Sequence, residues 1–321
     1  MKWLYSLIVM ILVSSVCFAQ NETKGGFTRI TPLVSYEYLH LAEQQIHSPG
    51  EGFSFAHGKG QDFFLLQASA KQYFMEKENP AGYEGPYHCD TLVVLQKTGA
   101  HQVFAFFETE SSEPVYGGLR TFGAGIGYRY ELMRTERSSL KVGGYLAVTD
   151  NGVEFDDGKI WPLFLLPSIV YEFGSELFTV TASISTAPQL RFTVLPENKI
   201  RLTAVTYMSL DRLRGMRDVL FDYTLWYRFF DKKSEHGDFA GLGLGIKNSG
   251  LCFEFGEKNK SYELQYYSLY GTLDLSFVQI SGGYCFRGRE ILDSSNSSSF
   301  DNIRTLGGGW FASVQLKYTF N

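Results

Sequence analysis

The chain is poor in what marks a helical, metal-stapled or nucleic-acid-binding protein. It has 9 prolines and 4 cysteines in 321 residues, and 29 Lys+Arg against 34 Asp+Glu leave a net charge of −5. A slightly acidic chain has no electrostatic case for nucleic acid. The cysteines follow no zinc spacing and are too few for a disulfide scaffold. The longest apolar run, Leu7–Val13, falls far short of the ~20 residues a membrane helix needs. What is abundant is aromatic side chain, at 16%, and glycine, at 33 residues. That pairing suits many strands joined by tight turns.

Residues 1–19 read as a cleaved secretory signal, leaving 20–321 as the mature domain. Lys2 gives the positive start, Leu7–Val13 the apolar core, and Cys17-Phe18-Ala19 leads to a cut before Gln20. A lipoprotein signal ending at Cys17 is the rival, with the bulky Val16 against it. Of the remaining Cys89, Cys252 and Cys285 at most one pair can form, and Cys252 with Cys285 is the candidate; unpaired thiols are the plainer expectation.

The dominant pattern has period two. Val219, Phe221, Tyr223, Leu225, Tyr227 and Phe229 alternate with Asp222, Thr224, Trp226 and Arg228. Phe122, Ala124, Ile126, Tyr128 and Tyr130 alternate with Gly123, Gly125, Gly127, Arg129 and Glu131. Ile200–Leu210, Phe178–Val194 and Trp310–Phe320 repeat the theme. At 180° per residue, the two sets lie on opposite faces of a strand.

A secreted sandwich would also alternate. These segments, however, run ~10–14 residues where globular strands cluster near 5–6, a length that suits a tilted membrane crossing. Aromatics sit at the ends of the apolar faces, and the opposite faces carry Gly, Ser, Thr and charge. Strands at bilayer depth must satisfy every backbone group by closing on themselves. The expectation is therefore an all-β chain forming one transmembrane antiparallel β-barrel of about fourteen strands, with twelve as the alternative. The segments are near 28–41, 61–75, 101–109, 119–133, 138–150, 161–173, 176–193, 199–211, 218–231, 237–247, 250–256, 261–270, 273–287 and 307–320. Thr91–Gln96 looks extended, but an even count relegates it to a loop. Leu41–Gly60 and Gly288–Leu306 are expected as outer loops.

The closing residues Trp310-Phe311-Ala312-Ser313-Val314-Gln315-Leu316-Lys317-Tyr318-Thr319-Phe320 resemble the last strand of Gram-negative outer-membrane β-barrel proteins, with Asn321 following the aromatic here. The signal's Phe18-Ala19-Gln20 junction looks like that of Bacteroidetes-type exported proteins, and the layout is similar to single-domain outer-membrane barrels of that group. The resemblance implies a place in the outer membrane, with outer-membrane lipid and the barrel-assembly machinery as partners. In such barrels the alternating apolar positions, here Trp310, Val314, Leu316, Tyr318 and Phe320, form the assembly signal.

Chemistry-bearing groups are sparse. His40, His47, His57, His88 and His101 each lack a Ser two positions away, which a lipid-cleaving barrel enzyme would need on one face; His47-Ser48 point to opposite faces. His88-Cys89-Asp90 are neighbours on an extended chain and do not converge, and His40, His47 and His57 are irregularly spaced for a metal. No catalytic residue, metal or cofactor is assigned. The glycines at 123, 125, 127 and at 241, 243, 245 follow strand parity and open no helix, so they make room for a neighbour's large side chain. The charges on the polar parity are the best clue: Arg129, Glu131, Lys141, Arg191, Arg201, Asp222, Arg228, Glu254 and Lys317 should face the lumen. Charge there is tolerable when hydrated or paired. Hydrated, it lines a passive pore for small solutes; fully paired, it plugs a structural or partner-binding barrel. A membrane-embedded lipid enzyme is the weakest reading.

Overall fold

The computed structural model describes residues 26–42, 44–76, 86–111, 120–154, 160–184, 188–208, 219–229, 240–255, 260–294 and 302–320. Every regular element among them is a strand. In chain order these are β1 (Gly26–Leu41), β2 (Gln44–Lys59), β3 (Asp62–Met75), β4 (Tyr87–Thr98), β5 (His101–Ser111), β6 (Arg120–Arg134), β7 (Ser138–Glu154), β8 (Ile160–Gly174) and β9 (Phe178–Ile184). They continue as β10 (Gln189–Val194), β11 (Ile200–Met208), β12 (Val219–Arg228), β13 (Ala240–Phe255), β14 (Lys260–Leu275), β15 (Val278–Ser294), β16 (Asn302–Leu306) and β17 (Gly309–Lys317).

Each wall strand pairs antiparallel with the next, and β17 pairs with β1 from Leu33↔Lys317 to Leu41↔Gly309, which closes the sheet. The expected closed antiparallel barrel is present, but its wall has sixteen strands rather than fourteen or twelve. β16 lies outside that count. It pairs with β15 alone, from Gly288↔Leu306 to Leu292↔Asn302, continuing the line of β17 beyond Gly307-Gly308 and past the end of β1.

The miscount has local causes. The expected outer loop at Leu41–Gly60 is β2, sixteen residues paired along the whole of β1. Its entry turn places Ala42 at φ 49°, a conformation usually announced by Gly or Asn. Pro49, Gly50, Glu51 and Gly52 then break the apolar alternation. Thr91–Gln96, relegated to a loop, is the middle of the wall strand β4. The single segment at 176–193 is the hairpin β9–β10. Partners such as Ser183 and Gln189 share parity, so alternation runs unbroken through the turn, and Pro188 was the only punctuation. The two segments at 237–247 and 250–256 are one strand, β13, with Asn248-Ser249-Gly250 paired to β14. The break expected near residue 271 falls instead at Ser276, at φ 71°. Much of the expected loop at Gly288–Leu306 belongs to β15 and β16.

Outward residues are exposed and apolar: Ile126 59%, Leu165 80%, Leu244 65% and Leu316 52%. Aromatics gather near both rims of this wall. Tyr128, Tyr130, Tyr227 and Tyr318 lie toward the chain termini, whereas Trp310 packs against Tyr38 with centroids 4.8 Å apart and Tyr284 against Phe286 at 6.5 Å toward the other end. From Trp310 to Tyr318 is roughly 26 Å of strand at ~3.3 Å per residue. A tilt of about 40° reduces this to ~20 Å of height, close to the ~25 Å apolar band of a membrane barrel. Most connections at the termini end are tight, such as Gly60-Gln61, Gly99-Ala100 and Ser276-Phe277. Cys285 is a fully buried free thiol, and the Cys252 side chain lies outside the described residues. Residues 1–25, with the expected signal, lie outside the described residues.

Candidate functional site: the barrel interior

The inward face is built on residues without bulk. In β6, a Cβ added at Gly125 or Gly127 would collide with the rings of Phe106 and Phe104 on β5. In β13 one added at Gly245 would meet Tyr270. These glycines make the room expected of them. β6 and β13, seven strands apart around the wall, also come within 8 Å of each other between Cα atoms.

Of the charges expected inside, most of those whose side chains are described are held by partners. Arg129 donates from Nε to Ser168 Oγ at 2.6 Å and from Nη1 to Gln102 Oε1 at 3.3 Å, with its guanidinium 4.2 Å from the Phe104 ring centre. Glu131 accepts Lys97 at 3.4 Å and Arg134 at 3.2 Å. Lys141 meets Glu172 at 2.9 Å, and Ser139 donates to the same carboxylate at 2.7 Å. Asp222 accepts from Thr224 at 3.0 Å and from the Tyr270 hydroxyl. Arg201 stands 5.7 Å from the Trp226 ring centre. Arg228, 7% exposed, donates to the Glu197 carbonyl at 3.4 Å. Lys317 reaches Asp274 at 3.9 Å. Arg191, on the inward parity of β10, is exposed to the lumen. Glu254 lies in β13, and its side chain is outside the described residues.

Several interior groups escaped the sequence reading. Lys71 pairs with Glu37 at 3.4 Å, invisible while β2, the strand between theirs, was expected as a loop. Lys247 sits over Tyr270 and Phe311, 5.3 and 4.5 Å from their centres. Glu290 accepts the Tyr262 hydroxyl at 2.8 Å and lies 3.8 Å from Arg304. Their inward parity was the available signal, but it depended on knowing where β14 ended.

A feature the alternation did not foretell is an apolar core inside the barrel. Leu39, Leu41, Ile46, Tyr73, Tyr87, Tyr262, Leu264, Tyr266, Cys285, Leu306 and Phe311 are buried together, with Met75, Leu251 and Tyr270 against them. All lie on inward parity, near the end of the barrel away from the termini. By contrast β9 to β11 turn Thr179, Thr181, Thr193 and Thr203 inward, and among their inward residues as described none is buried. The histidines do not assemble: His47 and His57 face outward ~33 Å apart along β2 at the usual strand rise, and His47 instead accepts or donates to Tyr36 at 2.6 Å and lies 3.6 Å from Glu76.

No family model and no curated protein sequence matches the chain. Among solved structures it is similar to the outer membrane protein OpdK of Pseudomonas aeruginosa, with 9% identity and a TM-score of 0.38 over 92% of this chain and 99% of that one. OccAB3 of Acinetobacter baumannii gives 8% and 0.35 over 93% and 100%. OccK9 (OpdG) of Pseudomonas aeruginosa gives 9% and 0.35 over 94% and 100%. A likeness this loose assigns neither a solute nor a residue.

Proposed function

We propose that this chain is an outer-membrane β-barrel that passes small hydrophilic solutes passively. The observation that carries the reading is the inversion of the wall: large apolar side chains are exposed all round the outside, while Lys, Arg, Asp and Glu line the inside. In water such an exterior would be one continuous apolar patch far above the few hundred Å² tolerated by soluble monomers. Against acyl chains it is the stable choice, and closure through β17–β1 leaves no unpaired edge at bilayer depth. The lipid of the outer membrane is then the surrounding partner. Trp310, Val314, Leu316 and Tyr318 display their side chains outward on the closing strand, in position for the assembly machinery to read, with Phe320 beyond them.

A second reading, a non-conducting structural barrel, draws on the interior core and on the paired charges. Single-channel recording in planar bilayers separates the two. Stepwise conductance is expected from folded, heat-modifiable protein; its absence at every protein concentration that gives insertion would remove the pore.

A further inference from the structure

We infer that the barrel interior is divided into two compartments: a wet passage along β9–β11, and a vestibule along β14, β15, β17 and β1–β5 that an apolar core blocks at the end away from the termini. This deepens the pore reading by saying where the pore runs.

The division starts from the glycines. Two β-layers that face each other with side chains between them stand ~10 Å apart. The Cα atoms of β6 and β13 come within 8 Å, which is possible only for faces almost bare of side chains. Gly123, Gly125 and Gly127 on one strand and Gly241, Gly243 and Gly245 on the other are such faces. Subtracting a carbon–carbon contact of ~4 Å leaves a gap of at most about 4 Å, no more than roughly one water wide. A hydrated solute cannot use it. The bulk that the glycines lack is supplied from beside them: Phe104 and Phe106 fold over β6, and Tyr270 over Gly245.

On one side of this pinch, Tyr262 and Tyr266 of β14 reach across the lumen. Tyr262 hydrogen-bonds with Gln44 of β2, and Tyr262 and Tyr266 are buried in one cluster with Tyr87 of β4, Ile46 of β2 and Leu39 of β1. Tyr262 and Leu264 have 0% exposure and Phe311 2%. Opposed strands whose inward side chains are this dry leave no water path between them. Below the core the same compartment is polar, with Ser281 bonded to Thr272 at 2.8 Å and Ser69 to Thr91 at 2.6 Å. It is a blind vestibule open toward the termini. On the other side of the pinch, Thr179, Thr193 and Thr203 occupy one register level across β9 to β11, and none of the three is buried. Arg191 and Tyr207 are exposed among them, Tyr207 at 37%.

Hydroxyl-radical footprinting of the folded protein in detergent, read by mass spectrometry, tests the division without any variant. Tyr207 should oxidise readily and Tyr262, Tyr266 and Phe311 should be protected. Comparable oxidation of Tyr262 and Tyr207 overturns the inference whatever the conductance. Bilayer recording then locates the passage. Thr203→Trp should lower single-channel conductance at least about twofold, and Ser313→Trp should leave it near the parent value. The opposite ranking, or an equal loss from both, overturns the assignment while leaving the pore itself standing. A silent parent channel with the expected footprint rejects the pore reading and the through-passage with it, and the blocked compartment stands.

Discussion

Lys97 Nζ lies 3.4 Å from Glu131 Oε2 on the inner wall, and the two side chains keep only 11% and 7% of their exposure. Glu131 also holds the half-exposed Arg134 at 3.2 Å, so one carboxylate is shared between two cations, of which Lys97 is the one with little access to water. Removing one partner of such a pair leaves an uncompensated charge, which costs about 3–5 kcal/mol when the site is buried. Glu131→Gln should therefore lower the guanidinium midpoint of the detergent-solubilised barrel clearly. Lys97→Met with Glu131→Leu, which removes both charges, should recover most of the loss. Equal stability of Glu131→Gln and the parent would mean that this part of the wall is freely hydrated.

The ring of Phe104 occupies the place where a side chain at residue 127 would stand. Gly127→Val must push the ring aside and with it the Arg129 guanidinium stacked on it 4.2 Å away. Overpacking of this kind costs about 1–3 kcal/mol. The temperature at which the folded band converts on a heat-modifiability gel should fall for Gly127→Val and return toward the parent for Gly127→Val with Phe104→Ala. No fall for the single variant would show that the ring has somewhere else to go.

The sequence made the wall legible and left the interior's shape hidden, for a physical reason. Alternation reports only which side of a strand a residue occupies, and it does so reliably: Ile126, Leu225 and Leu316 face out, Arg129, Asp222 and Lys317 face in. It says nothing about which inward residues meet across the lumen. Leu39, Tyr262 and Phe311 are therefore indistinguishable in the sequence from lumen lining until the closure brings β14 opposite β2 and β4. Strand number suffered from turns that carry no ordinary marker, as at Ala42, and from hairpins that preserve parity, as between Ser183 and Gln189. The glycine runs were read correctly as room for neighbours. Their role in the approach of β6 to β13 needed the fold.

Arg191 points into the lumen from a strand whose inward neighbours are Gln189 and Thr193. In the pore reading, replacing it with Glu reverses a charge on the conducting wall. The reversal potential under a salt gradient should shift toward cation preference. The shift should shrink as ionic strength rises from 0.1 to 1 M, because the screening length drops from ~10 Å to ~3 Å. An unchanged reversal potential at low salt would place Arg191 off the conducting path.

The closing seam gives a prediction about assembly that stability alone would not give. Beyond the last regular residue of β17, Phe320 exchanges backbone hydrogen bonds with Ile30 at 3.0 and 2.9 Å, and its ring meets Tyr318 edge-on with centroids 4.6 Å apart. The hydrogen bonds belong to the backbone and survive a change of side chain, while the exposed aromatic tip does not. Tyr318→Ser with Phe320→Ser should therefore refold from denaturant into detergent nearly as well as the parent. In cells the same double variant should yield several-fold less folded, heat-modifiable protein in the outer membrane, if these side chains are what the assembly machinery recognises. Loss of refolding in detergent would make the aromatics structural parts of the seam, and normal yield in cells would remove them from the assembly signal.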